Sequence, residues 1–241
     1  MKHVTRISAV AAGGALALGL LAGPAQAAGA KPAATGSAGG GQVALTAVKA
    51  LAGARVQGRI AMIKALQTIV SDAPNLTSSD QSALTTTLGN DLSGLTDLGT
   101  KMSGETTVQA VRADEVTMVD NYRVYLLAVP QVHLSIVFDN EASAYTKLQS
   151  AYSTLSAALT AAGGGTATEN SQLADMQTQL TNAQSAADGQ DSALLALQPG
   201  PDASTLTAQI KQIRGDAQSA RKDLGQALTD AKDIKSELGQ S

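Results

Sequence analysis

The stretch NYRVYLLAVPQVHLSIVFDN, from Asn121 to Asn140, decides how this chain is read. It holds Phe138, the one phenylalanine, two of the four tyrosines (Tyr122 and Tyr125), and His133, the one histidine besides His3. Around it the sequence is a near-monotone of Ala, Gln, Ser, Thr, Leu and Asp. A segment so unlike its surroundings is a catalytic site, a membrane-inserting segment or the filling of a helical core.

For catalysis the candidates are His133, Tyr122, Tyr125, Arg123, Asp120 and Asp139. A nucleophile, base and orienter set needs a histidine with a partner, or paired carboxylates at a defined distance. One usable histidine and no cysteine supply no such set. A lone histidine among scattered aspartates also lacks the spacing of a metal site. No catalytic, cofactor-binding or metal-binding residue is therefore assigned, and the chain is read as non-enzymatic. His133 is expected as a satisfied, partly buried side chain on a packed helix.

For membrane insertion, Val124–Phe138 is the longest apolar run outside the N-terminus. It is interrupted by Pro130, Gln131, His133 and Ser135, and is too short to cross a ~30 Å hydrocarbon core as one straight helix. A helical protein that shelters this segment and releases it at a membrane is the alternative reading. For core packing, Val124, Tyr125, Leu126, Leu127, Val129, Val132, Leu134, Ile136, Val137 and Phe138 supply large apolar side chains, each worth about 1.5–3 kcal/mol when buried. Apolar character on every side marks an element surrounded by others. This is the preferred reading. The backbone expected is a helix from Thr107 to about Ala128, with Pro130 near the first turn of the next helix or at a kink. Tyr122–Val129 is also rich in β-formers, but no second strand pattern offers it a partner.

Outward from this segment the period is helical. A first helix over Val43–Asp72 presents Leu45, Val48, Ala52, Val56, Ile60, Ile63, Leu66 and Val70, and Pro74 ends it. A second carries Leu84, Leu88, Leu92, Leu95, Leu98 and Met102. After the aromatic stretch, Phe138, Tyr145, Leu148, Tyr152, Leu155, Leu159 and Ala162 continue a long helix that Gly163-Gly164-Gly165 breaks. Capping-box patterns stand at Ser78–Gln81, Thr106–Gln109 and Thr166–Glu169. Two helices close the sequence. One runs through Leu173, Met176, Leu180, Ala183, Ala187, Gln190, Leu194 and Leu197. The other runs from Leu206 through Ile210, Ile213, Ala217, Ala220, Leu224, Ala227, Ala231 and Ile234 to Leu238. Steps of three and four put each series on one stripe, as in a coiled-coil seam. The Pro199-Gly200-Pro201-Asp202 link makes the two antiparallel, with Asp202 as N-cap.

At the other end, Lys2 and Arg6 precede an apolar run over Ile7–Leu21, and Ala25-Gln26-Ala27 offers small residues for cleavage. Residues 1–27 read as a secretory signal peptide, and residues 28–41 as a flexible Ala/Gly/Pro linker. With Lys2 and Arg6 removed, 15 basic residues face 20 acidic ones, a net charge of −5. That balance does not suit nucleic acid, which calls for a dense basic surface. Without cysteine there is neither a disulfide nor a lipid-attachment residue, so the fold must hold by packing alone. Residues 42–71 carry Lys49, Arg55, Arg59 and Lys64 and no acid, whereas the segment from Asp72 to Glu141 is strongly acidic. Pairing of a basic first helix with acidic neighbours is expected to add a modest, salt-sensitive attraction.

The segments GLTDLGTKMSGETTVQAVRADEV and YRVYLLAVPQVHLSIVFDN resemble a group of exported helical proteins from high-GC Gram-positive bacteria. The likeness spans Leu76–Asp139 and implies an exported compartment and a helical fold. It attaches no activity, so no functional residue is carried over.

The expectation is an all-α chain: an elongated antiparallel bundle of five to six long helices. Its parts are a helical bundle over 42–165, with the aromatic core segment 121–140, and an antiparallel coiled-coil hairpin over 166–241. The expected role is that of a secreted protein, extracellular or cell-wall associated, acting through protein–protein or envelope contacts. The C-terminal hairpin can also pair between chains as a homodimer.

Overall fold

The computed structural model describes residues 39–239, and every described element is helical. The expected signal peptide (1–27) and most of the expected linker (28–41) lie outside the described residues. The helices are α1 (Gly39–Asp72), α2 (Ser78–Gly104), α3 (Val108–Tyr122), α4 (Val129–Ala161), α5 (Ala167–Ala187), α6 (Gln190–Leu195) and α7 (Ala203–Leu238), with a π-helical turn (Val124–Ala128) between α3 and α4. Helix α1 starts inside the Gly-rich run, so the expected linker stops short of Gly39. Adding residues to an existing helix gains a hydrogen bond for each, which even glycine accepts.

The periodic stripes become the buried faces. Ala52, Val56, Ile60, Ile63, Leu66 and Val70 of α1 pack against Leu84, Leu88, Leu95, Leu98 and Met102 of α2. The two helices are antiparallel. Lys49 Nζ, early in α1, donates to the Ser103 carbonyl at the end of α2 at 2.8 Å, and Gln81 Nε2, early in α2, donates to the Val70 carbonyl at 3.3 Å. Helix α3 folds back along this pair. Lys101 of α2 meets Asp114 at 2.5 Å, and Arg55 of α1 meets Glu115 at 2.5 Å. The basic α1 thus has one acidic partner on α3, a partly exposed pair worth well under about 1 kcal/mol.

Helices α5 and α7 pack on one another along their stripes. Leu148, Leu155 and Leu159 of α4, Met176, Leu180 and Ala183 of α5, and Leu224, Ala227, Ala231 and Ile234 of α7 share one core. Helix α4 packs on both sides of the expected division at 165/166: its first half touches α1 and α2 through Val132 and α6 and α7 through Leu134 and Phe138, and its second half packs on α5 and α7. Three consecutive glycines make the α4–α5 turn, with φ of 98°, 108° and 70° at Gly163, Gly164 and Gly165. Side chains rarely adopt such backbone, so the GGG run is what lets α4 reverse here.

Three local expectations need correction. The first concerns caps. Helix α2 is capped by Thr77, whose hydroxyl accepts from Asp80 N–H, and α3 by Thr107, accepting from Ala110 N–H. Each lies one residue from the expected position, because neighbouring hydroxyls compete for the same amides. The Thr166/Glu169 capping box and the Asp202 cap form where expected. The second concerns the helix expected from Thr166 through Leu197. Asp188 ends α5, Gly189 turns left-handed at φ 71°, and α6 starts afresh. Gln190, the one polar member of that seam, falls at the break.

The third concerns the opening stretch. A straight helix would carry the inner stripe Val111, Met118, Tyr122 on to Tyr125 and Val129. Instead Arg123 ends α3 in the left-handed region (φ 34°, ψ 38°), and Val129 N–H bonds the Val124 carbonyl across a wide π turn. Pro130 supplies a reason: its ring would clash with the Leu126 carbonyl of a regular helix, and widening the preceding turn relieves that clash. The extra residue rotates the stripe. Val124, Ala128 and Val132 now face α1 and α2. Leu127, Leu134 and Phe138 face Leu194 of α6 and Leu206, Ile210, Ile213 and Ala217 of α7. The segment is apolar on two sides because it is packed from two sides. Tyr125 is turned out, 53% exposed, and lies 5.5 Å from the Arg59 guanidinium. His133 is likewise exposed rather than packed, since it falls between the two buried faces.

Candidate functional site

The catalytic candidates of the sequence are scattered. Asp120 and Arg123 pair at 3.0 Å, but Arg123 is occupied in holding the fold: its Nε donates to the Gly200 carbonyl at 2.8 Å and its NH2 to the Pro201 carbonyl at 2.9 Å. Tyr122 leans over Gly94, and burial beside Asp91 and Asp97 raises its pKa. Asp139 accepts from Thr77 N–H at 2.7 Å. Tyr125 and His133 face outward. Among the described residues no group of three or more His, Asp or Glu is placed to hold a metal ion. No described helix is long and apolar enough to cross a membrane.

A concavity with both apolar and acidic lining lies elsewhere, where α4, the end of α5 and α7 meet. It has a volume of about 340 Å³. Its apolar wall is Phe138, Ala142 and Tyr145 of α4, Ala183 and Ala187 of α5, and Ala220 and Leu224 of α7. Two sequence features open it. Alanines occupy both facing stripes here, and alanine fills little of the space between helices. The Asp188–Gly189 break then ends α5 just where the stripe would have closed over the gap. Tyr145 hydroxyl and Gln184 Oε1, 3.0 Å apart, tie the two walls.

Four carboxylates line this groove: Asp139, Glu141, Asp188 and Asp191. Glu141 is 6% exposed, and neither of its oxygens has a hydrogen bond. Arg221, itself largely exposed, approaches at 3.4 Å. Burial pushes the Glu141 carboxyl up to about 7, against the pull of Arg221. Burial pushes Asp191 up to about 6; the Ser135 hydroxyl pulls against this, and the negative charges of Asp80 and Asp139 add to it. Asp139 is raised by burial, partly offset by the Thr77 amide. Chemically, the groove presents hydrogen-bond acceptors and an apolar wall.

Glu141 and Asp191 were not singled out from sequence, yet Glu141 carried a signal. It stands at the missing step of the series Phe138, Tyr145, Leu148, Tyr152: an acid on the core stripe of a long helix.

A second concavity of about 290 Å³ lies between α2, the π turn and the loop after α6. Burial there raises Asp91 to about 6. On the outside of α3, Val116 is 60% and Val119 37% exposed, in a shallow dip bordered by Arg112, Glu115 and Asp120. No family model, curated protein or solved structure matches this chain.

Proposed function

We propose that this is an exported, non-enzymatic helical protein that works by contact with another protein or with the cell envelope. The outer face of α3 is the contact surface. The observation that carries this reading is the pair of exposed valines, Val116 and Val119, one helical turn apart and framed by Arg112, Glu115 and Asp120. An apolar centre within a charged rim is the pattern of an interaction surface. The remaining large side chains of the 121–140 segment are mostly committed to the interior. Export rests on the N-terminal Lys2/Arg6, apolar run and Ala25-Gln26-Ala27.

The test uses the protein and its Val116→Asp variant as baits against envelope and medium fractions of the producing cell. The expected result is a specific partner recovered by the first and lost with the second. Recovery of no specific partner, or of an unchanged set with Val116→Asp, rejects the reading.

A further inference from the structure

The groove between α4, α5 and α7 is independent of the α3 surface, and its chemistry specifies a ligand class. We propose that it binds a small organic cation, an alkylammonium group on an apolar body, with Glu141 as the counter-ion and Asp139, Asp188 and Asp191 around it.

The argument starts from Glu141. A carboxylate taken out of water must recover hydrogen bonds or a counter-charge. Glu141 is nine-tenths buried against the groove, and both its oxygens lack a hydrogen-bond donor. Arg221 Nε supplies a counter-charge to Oε1 at 3.4 Å, from a side chain 65% exposed, and the second oxygen, Oε2, is left without a partner. Asp191 lines the same groove, with the Ser135 hydroxyl beside its carboxyl. An acceptor short of donors calls for a ligand rich in N–H groups. An ammonium brings three such donors and a full charge.

The rest of the lining narrows the class. An anion is rejected by four carboxylates. A bare metal ion is not served, since among the described residues no three carboxylates converge as ligands. Phe138, Tyr145 and Leu224 instead offer a wall for a hydrocarbon body, and about 340 Å³ is room for a ligand of small-molecule size. Tyr145 also places an aromatic ring within the lining, to which a cation is attracted.

The test titrates the full chain with hexylammonium, following heat and the Tyr145 resonances, beside hexan-1-ol at the same ionic strength. Saturable hexylammonium binding is expected, with hexan-1-ol at least tenfold weaker. Glu141→Gln keeps the shape of the side chain and removes its charge. It is expected to weaken hexylammonium at least tenfold with the helical circular dichroism retained. Asp188→Asn, at an exposed position on the rim, weakens it less and serves if Glu141→Gln misfolds. A capped Ala-Lys-Ala peptide separates sources: tighter binding than hexylammonium assigns the cation to a lysine of a protein, weaker binding to a free amine. No saturable binding, equal affinity for hexan-1-ol, or affinity untouched by both variants overturns the proposal and leaves a water-filled cleft.

Discussion

The two antiparallel hairpins of this protein are built on the same helical period but with different side chains. In the α1/α2 pair the facing stripes are Ile60, Ile63, Leu66 and Val70 against Leu84, Leu88 and Leu95. In the α5/α7 pair, Ala183 meets a stripe in which Ala217, Ala220, Ala227 and Ala231 separate the larger residues. Branched side chains fill the space between two helices over this length, and a concavity of about 330 Å³ opens only farther along the pair, where Gly53 and Gly99 stand. Alanines let the helices approach but fill little, so wherever the backbone diverges a gap remains. It diverges at Gly189, and the acid-lined groove lies beside it. The same amphipathic pattern leaves a gap wherever small residues stand at the seam, and what differs between the two gaps is the lining: four carboxylates in one, none in the other.

The largest test of that contrast is Leu66→Ala, at a fully buried α1 position. A loss of about 2–5 kcal/mol is expected in urea unfolding, against about 1 kcal/mol for Ala227→Gly in α7. Equal losses would erase the distinction. Next comes the joint that couples the hairpins. Arg123→Ala removes three hydrogen bonds from a charged group, and about 2–4 kcal/mol should be lost. Arg123→Gly should lose roughly 1 kcal/mol less, because glycine accepts the left-handed backbone. Enlarging alanines sharpens the comparison further. Ala52→Leu overpacks the α1/α2 contact and should cost about 1–3 kcal/mol. Ala220→Leu grows into the groove, so it should cost less while abolishing hexylammonium binding.

A smaller effect is expected from pH. The folded-state pKa of Glu141, about 7, lies above its ordinary value of 4.5, so the folded protein holds a proton that the unfolded chain releases. The stabilisation is complete below about pH 4.5 and is lost as pH rises through 7. Asp191 and Asp91, raised to about 6, act in the same direction. Melting temperatures measured from pH 4.5 to 8 should fall, and Glu141→Gln should flatten the slope. The smallest change is Gly189→Ala, about 1 kcal/mol from the positive φ, read as a shift of the urea midpoint.

The sequence disclosed the elements whose stripes run unbroken. The whole α7 series from Leu206 to Ile234 is buried as its spacing predicts, and so are most core positions of α1 and α2, with Leu45, Val48 and Leu92 only half-buried. It disclosed less where two rules compete. Across Tyr122–Val129, β-formers, a helical stripe and a following proline pull in different directions. The proline widens the turn before it, and the left-handed Arg123 is held through its side chain by carbonyls of Gly200 and Pro201 far along the chain. Asp188-Gly189 was a readable turn dipeptide, but the apolar period across it was regular enough to mask it. The groove was the least legible feature. A stripe search notes which positions are apolar, whereas the information lay in the acid at position 141 and in the small volume of the alanines opposite.

The arginine at the α3–α4 junction also has a temporal meaning. Its tie to Gly200 spans 77 residues of sequence, so closing it is entropically costly until the intervening helices have docked. A chain emerging from its N-terminus cannot set this latch before residue 201 has appeared. The α1/α2 pair has its partners close in sequence, whereas the Arg123 tie between α3 and the Gly200 loop does not. Completion of the native state is thereby made to wait for the C-terminal third.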